Sequence, residues 1–172
     1  MMIMTLDFIS KQDLKEVISK TWLTHDAMWF ALSVETIGIE KTNSINRKAA
    51  RRMSQIEAKR LSKVFNIGKI TNVKELIGFM QKALNIVGGE FMKYEYKIID
   101  ERTIIFDTTK CFAYEGVSKL GVISGYECGV FERMEGWFDF FNISYNKEPN
   151  EIKCLMYLHG ACSKKYSFSF PT

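Results

Sequence analysis

The sequence predicts an α+β fold, with helices packed on one face of a small antiparallel sheet made of two hairpins. Apolar residues recur with a helical period of about 3.6 from residue 11 to residue 87, and the period changes to 2 at Met92. After this first alternating stretch, a second helical stretch is again followed by an alternating stretch. Helices and strands grouped in this way favour an α+β fold. The predicted order is three helices, a hairpin, two helices and a hairpin. A chain of 172 residues, 47% of them apolar, is predicted to form one α+β domain over residues 1–172.

The first predicted helix runs from Lys11 to about Ile37, and its most unusual stretch is WLTHDAMWF at residues 22–30. One face is polar before residue 22, but from there every face turns apolar, which is typical of a buried helix. His25 and Asp26 are then polar groups in the part of the helix expected to be least exposed. His25 is therefore either a core histidine that a neighbour satisfies or a group that lines an internal pocket.

Two more helices are predicted, one capped by Asn43 or Ser44 and ending near Phe65, the other over residues 72–87. The earlier of these carries seven basic side chains: Arg47, Lys48, Arg51, Arg52, Lys59, Arg60 and Lys63. They form either a solvated basic face or a DNA-binding surface. The connection to the next helix is long for a helix-turn-helix, which disfavours nucleic acid as a partner.

The strands are predicted from strict alternation of apolar and polar residues. The first hairpin pairs residues 92–98 with residues 104–108. Two helices follow, over residues 111–119 and 126–141. Residues 146–150 are predicted to be a loop, and the last hairpin is predicted to pair residues 152–158 with residues 166–170.

Four cysteines lie in the last third of the chain, at Cys111, Cys128, Cys154 and Cys162, without a CxxC pair. Zinc ribbons and ferredoxins are therefore not supported. Cys154 is in phase with apolar neighbours and is predicted to be a small buried hydrophobe. Cys111 and Cys128 lie near predicted helix starts, where the helix dipole lowers a thiol pKa. These two and Cys162 are the candidate nucleophiles or metal ligands, with zinc or iron as the metal, although the sequence requires no cofactor.

Targeting signals are not evident in the sequence. It contains no apolar run long enough to span a membrane, and its N-terminus lacks the pattern of a signal peptide. We therefore expect a cytoplasmic protein with reduced cysteines and no membrane partner. The net charge of +4 permits an anionic ligand without requiring nucleic acid. Apolar residues near the N-terminus predict either a homodimer contact or a cover over the chain's own core: Ile3, Met4, Leu6 and Phe8.

Three stretches together carry a family resemblance: WLTHDAMWF at 22–30, GVISGYEC at 121–128 after Cys111, and HGACSKKYSFSF at 159–170. The chain resembles the aminothiazoline-carboxylate-hydrolase-like proteins and related small-molecule-binding domains of the vinyl-reductase type. The resemblance implies helices over a small sheet, an internal ligand pocket, and functional cysteines at positions matching Cys111, Cys128 and Cys162. The chain departs from the pattern at residues 154–155, where Cys-Leu stands in place of Cys-Pro.

Three functional hypotheses follow. The first is a binding module, whose pocket between helix one and the sheet holds a small, partly aromatic ligand. The aromatic rings of this pocket are Trp22, Trp29 and Phe30. His25 then donates or accepts a hydrogen bond, Asp26 orients the ligand, and Cys111 and Cys128 face the ligand from the other side of the pocket.

The second hypothesis is a hydrolase of small C–N or C–S bonds. Cys128 or Cys111 is then the nucleophile or a metal ligand, and His25 is the base. The third hypothesis is a regulator that binds DNA through the basic second helix.

Overall fold

A computed structural model describes residues 8–171, and its fold is α+β, as predicted. The elements in chain order are α1 (Lys11–Ile37), α2 (Ile39–Phe65), α3 (Val73–Val87), β1 (Met92–Ile98), β2 (Thr103–Cys111), α4 (Phe112–Lys119), α5 (Gly129–Phe140), β3 (Ser144–Glu148), α6 (Leu155–His159) and β4 (Cys162–Ser169). One turn of 3₁₀ helix, Ile123–Gly125, precedes α5. None of the described helices has the length and apolar character needed to cross a membrane.

The four strands form one antiparallel sheet in the order β1-β2-β4-β3. Alternate residues of a strand share a face, and on the central strands the buried set is aromatic and aliphatic. Ile104 pairs with Tyr166 in the register of β2 and β4, and both side chains are fully buried. Phe79 of α3 and Phe138 of α5 belong to the same core. The helices therefore cover one face of the sheet.

Helices α2 and α5 pack most closely at Gly136. A Cβ atom at Gly136 would lie 1.9 Å from Ser54 Oγ and 2.6 Å from the carbonyl oxygen of Arg51. Only glycine allows this approach of the two backbones. The same approach brings the polar faces of the two helices within hydrogen-bonding distance.

Helix α1 contradicts the prediction of a buried helix, because none of its residues is buried. It lies mainly against α2 and covers one side of the molecule, so only its inner face meets the protein. Both His25 and Asp26 are exposed, and so is Trp29, at 64% of its full surface. An apolar pattern on every face arises from burial or from an unfilled interface, and the sequence pattern cannot separate the two cases.

The last hairpin also differs from the prediction. Strand β4 pairs with β2 and β3, and residues 146–148 of β3 were predicted to be part of a loop. Most of the predicted strand 152–158 instead forms α6. Strand β3 reads Ser-Tyr-Asn-Lys-Glu, and its inward residues are Tyr145 and Lys147. Both extend polar groups to Glu135 of α5. Because its inward side chains are polar, this strand shows no apolar alternation.

The predicted cap of the second helix was also wrong, because α2 begins at Ile39 directly after Gly38. Asn43 lies inside the helix and is almost fully buried. Its amide donates to the carbonyl oxygen of Gly125 (2.8 Å), and its oxygen accepts from the N–H of Glu127 (3.1 Å). Asn43 therefore holds the segment that leads into α5.

Candidate functional site

The most prominent concave feature is a cavity of about 1180 Å³ between α1, the α2–α5 pair and the β1–β2–α4 region. Its wall is mainly apolar. Five of the six methionines within residues 8–171 line it: Met28, Met53, Met80, Met92 and Met134. Methionine side chains are flexible and polarisable, so a wall built from them adapts to an occupant.

Three polar side chains of the cavity wall are available to an occupant. The Tyr94 hydroxyl, the Asp26 carboxylate and the Asn46 amide face this space without a side-chain hydrogen bond to any residue between 8 and 171. Burial raises the pKa of Tyr94 to about 12, so its phenol stays protonated and can donate. A few free polar groups on an apolar wall are typical of small-molecule sites, where they orient the ligand.

One edge of the cavity is held by a chain of four side chains. The guanidinium carbon of Arg133 lies 5.1 Å from the ring centroid of Trp22. Arg133 donates two hydrogen bonds to Glu57, of 2.6 and 3.2 Å, and the indole N–H of Trp137 donates to the same carboxylate at 2.9 Å. Three of these side chains line the cavity, Glu57 being the exception. The positive charge of Arg133 is therefore already paired at this edge.

The predicted ligand-binding residues separate into two groups. Trp22, Asp26 and Phe30 line the cavity. Trp29 and His25 do not line it; they lie on the outer side of α1, where the Trp29 indole N–H donates to His25 Nε2 at 3.1 Å. His25 therefore does not face the cavity, and it is placed neither as a core histidine nor as a base for a molecule bound there.

The four cysteines converge at one end of the sheet. Cys111 is the last residue of β2. It lies three residues after Thr108, and Thr108 pairs with Cys162 in the register of β2 and β4. The N–H of Cys128 donates to the carbonyl oxygen of Ile152 (2.7 Å), two residues before Cys154. Cys154 is buried, as predicted, and it shares an apolar cluster with Cys128.

The expectation of lowered thiol pKa values is not met. Burial raises the pKa of the Cys128 thiol to about 12, and the nearby Cys111 raises it further, against hydrogen bonds from backbone N–H groups at the start of α5. Burial likewise raises the pKa of Cys162 to about 11 and increases the pKa of Cys111. Because desolvation outweighs the helix N-termini, these thiols are protonated at neutral pH.

The cysteine cluster also lies apart from the cavity. None of the four cysteines lines the cavity, although Phe112 and Gly129, which follow Cys111 and Cys128, do. Within residues 8–171, no group of three or more His, Cys, Asp or Glu side chains is arranged to hold a metal ion. The predicted ligands Cys111, Cys128 and Cys162 are thus neighbours without forming a ready coordination shell.

Sequence reasoning missed an ion-pair network between α2 and α5. At its centre the fully buried carboxylate of Glu135 accepts hydrogen bonds from Arg51, Lys147, Tyr145 and Tyr166 at 2.7–3.0 Å. The carboxylates of α5 recur at residues 132, 135 and 139, and two arginines of α2 lie four residues apart. These two spacings are the signal in the sequence, because residues three or four apart share a helix face.

The network changes the interpretation of the basic second helix. Arg47 binds Glu127 and Glu132, while Arg51 binds Glu132, Glu135 and Asp139. Burial opposes the charge on Arg47, yet hydrogen bonds to Glu132 and Glu127 raise its pKa. Two of the seven basic side chains are therefore half-buried and paired with carboxylates of this chain.

The chain matches the model of a protein family. The model of a family described as "Family of unknown function (DUF6125)" covers residues 7–135, three quarters of the chain. The chain belongs to this family. The DUF6125 match includes most of the cavity wall and ends within α5, before Cys154 and Cys162. Comparisons with curated proteins and with solved structures find no match.

Proposed function

We propose that this DUF6125 protein binds a small, largely apolar molecule in the cavity beneath α1. The observation that carries the proposal is the cavity itself, with its methionine-rich wall and its three free polar groups. Its volume of about 1180 Å³ is slightly above the range of roughly 300–1,000 Å³ that is usual for small-molecule pockets. The cavity can therefore hold a ligand larger than a single ring.

The wall defines the chemical class of the ligand. Trp22 and Phe30 of α1 offer ring faces and edges for stacking on an aromatic or otherwise flat molecule. Phe30 is itself held edge-on by Tyr126, with ring centroids 5.7 Å apart. The free hydroxyl of Tyr94 and the carboxylate of Asp26 suit a ligand that carries one or two polar groups.

Titration with N-phenyl-1-naphthylamine, a neutral fluorescent aromatic probe, tests the proposal. We expect saturable one-to-one binding with enhanced emission, because the probe moves from water to an apolar site. Ala50→Phe places a ring in the cavity wall and is expected to weaken binding at least tenfold. Ala161→Phe adds the same ring at an exposed turn away from the cavity and serves as the matched control.

Two results would contradict the proposal. One is a lack of saturable binding by the wild-type protein. The other is equal probe affinity for the Ala50→Phe and Ala161→Phe variants, which would place the probe elsewhere. Mass spectrometry of a solvent extract from the purified protein gives the chemical identity of any molecule that copurifies.

A second candidate function, chemistry at the cysteine cluster, is favoured by the convergence of four thiols at one end of the sheet. Their raised pKa values disfavour an unassisted cysteine nucleophile and so weaken the thiol version of the hydrolase hypothesis. A bound cation would offset the repulsion between neighbouring thiolates. Metal binding would require the side chains of Cys111, Cys128 and Cys162 to turn toward one another, with buried Cys154 as a further donor. Zinc and iron are the metals that thiolate ligands favour.

Elemental analysis of protein purified without oxygen tests this candidate. About one zinc or iron per chain would support it, provided that the metal is lost in Cys128→Ser and kept in Ser163→Ala, a control at an exposed position beside the cluster. Metal well below one per chain would remove the metal version. Neither result bears on the cavity. The resemblance to aminothiazoline-carboxylate hydrolases and vinyl-reductase-type domains stays a prediction.

A further inference from the structure

The outer face of α1 is an exposed apolar surface. Five large apolar side chains on this face are between 41% and 64% exposed: Val17, Ile18, Trp22, Trp29 and Leu32. Trp22 lies at the edge of the face, because it also lines the cavity. Aromatic side chains offer roughly 150–250 Å² each and aliphatic ones somewhat less, so these exposed fractions amount to roughly 500 Å². That area lies in the upper part of the range of the largest patches on typical monomers, about 300–600 Å².

The exposed face repeats with the spacing of a coiled-coil seam. Ile18, Trp22, His25, Trp29 and Leu32 are separated by four, three, four and three residues. This alternation keeps one stripe facing a second helix over several turns. The helix has 27 residues and is therefore about 40 Å long, which suits a side-by-side partner.

We infer that the outer face of α1 is the interface of a homodimer, in which the two α1 helices pack antiparallel about a twofold axis at His25. In this arrangement Ile18 of one protomer lies opposite Leu32 of its partner. Trp22 likewise lies beside Trp29 of its partner, because the two are within one residue of the same level along the helices. Every apolar side chain of the seam then meets another one, as an interface that pairs with itself requires.

The charges of α1 favour the antiparallel orientation. All three lysines of the helix, at residues 11, 15 and 20, lie before residue 22, whereas the later half carries only Asp26 and Glu35 as charged groups. The half before residue 22 keeps a net charge of +1 after Asp13 and Glu16 are counted. Antiparallel packing sets this half of each helix against the acidic half of the other, and parallel packing would set like against like. The three lysines are balanced by four carboxylates on the helix, unlike the basic helices that bind anionic membranes.

The area also fits a dimer. A specific interface buries about 800 Å² on each partner. The apolar part of the α1 face supplies roughly three fifths of this area before any polar rim is counted. Because the same helix covers the ligand cavity with its inner face, the dimer would hold the two cavity covers together.

Sedimentation velocity of the full chain over the micromolar range tests the inference. We expect a species of twice the 19.9 kDa chain mass. Ile18→Glu places a carboxylate in the seam and is expected to raise the dissociation constant at least 30-fold, with an unchanged circular dichroism spectrum. Val64→Glu, at a 71%-exposed position of α2, is the matched control and should leave the dimer intact.

A crosslinking experiment tests the position of the axis. His25→Cys is expected to form a disulfide between two chains on mild oxidation, since residues on the axis approach within disulfide distance. Asp13→Cys should not crosslink, because antiparallel packing separates its two copies by about 36 Å. A peptide joined through residue 25 to its own copy, found by mass spectrometry, is the expected product.

Four outcomes would overturn the inference. These are a monomer throughout the micromolar range, a dimer that Ile18→Glu leaves intact, a dimer without the link through residue 25, and a dimer that forms only after residues 1–7 are removed. The last would show that the chain's own N-terminal segment covers the α1 face. Flotation of monomer with phosphatidylglycerol vesicles would assign the face to a membrane surface instead.

Discussion

Glu135 is the position at which a single substitution should reveal most about what holds this fold together. Its carboxylate has no solvent exposure and accepts from Arg51, Lys147, Tyr145 and Tyr166. Glu135→Gln keeps the shape but removes the charge and turns an N–H₂ group toward two or three of the four donors. Loss of one partner from a buried ion pair costs about 3–5 kcal/mol.

The structure indicates a loss at the lower end of that range. Arg51 keeps ion pairs with Glu132 and Asp139, whereas Lys147 loses the one carboxylate that it binds within residues 8–171. Lys147 retains some contact with water, because its side chain is 19% exposed. We therefore expect Glu135→Gln to lower the free energy of unfolding by about 3 kcal/mol.

Urea denaturation followed by circular dichroism measures this effect. With a slope of about 2 kcal/mol per molar urea, the midpoint should fall by about 1.5 M. Glu148→Gln is the matched control, since Glu148 pairs with Lys165 at 3.4 Å on the surface and its side chain is 77% exposed. Exposed pairs contribute roughly 0–1 kcal/mol. Equal midpoints for the two variants would refute the role assigned to the buried network.

Three further predictions concern packing, pH and thiol reactivity. Gly136→Ala should destabilise the protein by about 1–3 kcal/mol in the same urea assay, because its methyl group overlaps Ser54; Gly116→Ala, with open space at its Cβ, should be neutral or stabilising. Burial opposes the charge on Glu132, but hydrogen bonds from two arginines lower its pKa below the usual 4.5. The ionised Glu132 carboxylate therefore contributes fully to the free energy of unfolding above pH 4.5, and this contribution is lost as the pH falls through its pKa in the folded protein. Glu132→Gln should flatten the acid limb of a curve of stability against pH. At pH 8, iodoacetamide should modify Cys128 far more slowly in the native protein than in an unfolded control, since burial raises the pKa of this thiol to about 12. Peptide mass spectrometry measures the labelling, and rapid labelling of the native protein would contradict the burial argument.

The cavity shows which part of a candidate site can be predicted from a helix pattern. The aromatic stretch of α1 predicted a pocket against this helix, and the structure has a cavity there with Trp22, Asp26 and Phe30 in its wall. The pattern assigned His25 and Trp29 to the same pocket, although they lie outside it. A helix that is apolar on every face has no polar stripe to reveal which side meets the protein.

The ion pairs were predictable only in part. The helical spacings of the arginines and carboxylates are visible in the sequence, but charge runs on helices are usually solvated. Their pairing depends on the close approach of α2 and α5 at Gly136, which brings the two charged faces together. Strand β3 was missed because its inward side chains, Tyr145 and Lys147, are polar and donate hydrogen bonds to Glu135 across the core.

The sequence by itself determined most of the elements, because helical and strand periods are local properties of neighbouring residues. It predicted the α+β class, the first hairpin and the positions of Cys111 and Cys128 at the starts of two helices. Only the tertiary structure decided which face of α1 meets the cavity, which carboxylate binds Arg51, and how desolvation acts on the thiols. These outcomes depend on contacts between residues far apart in the chain, whose distances and burial no local pattern records.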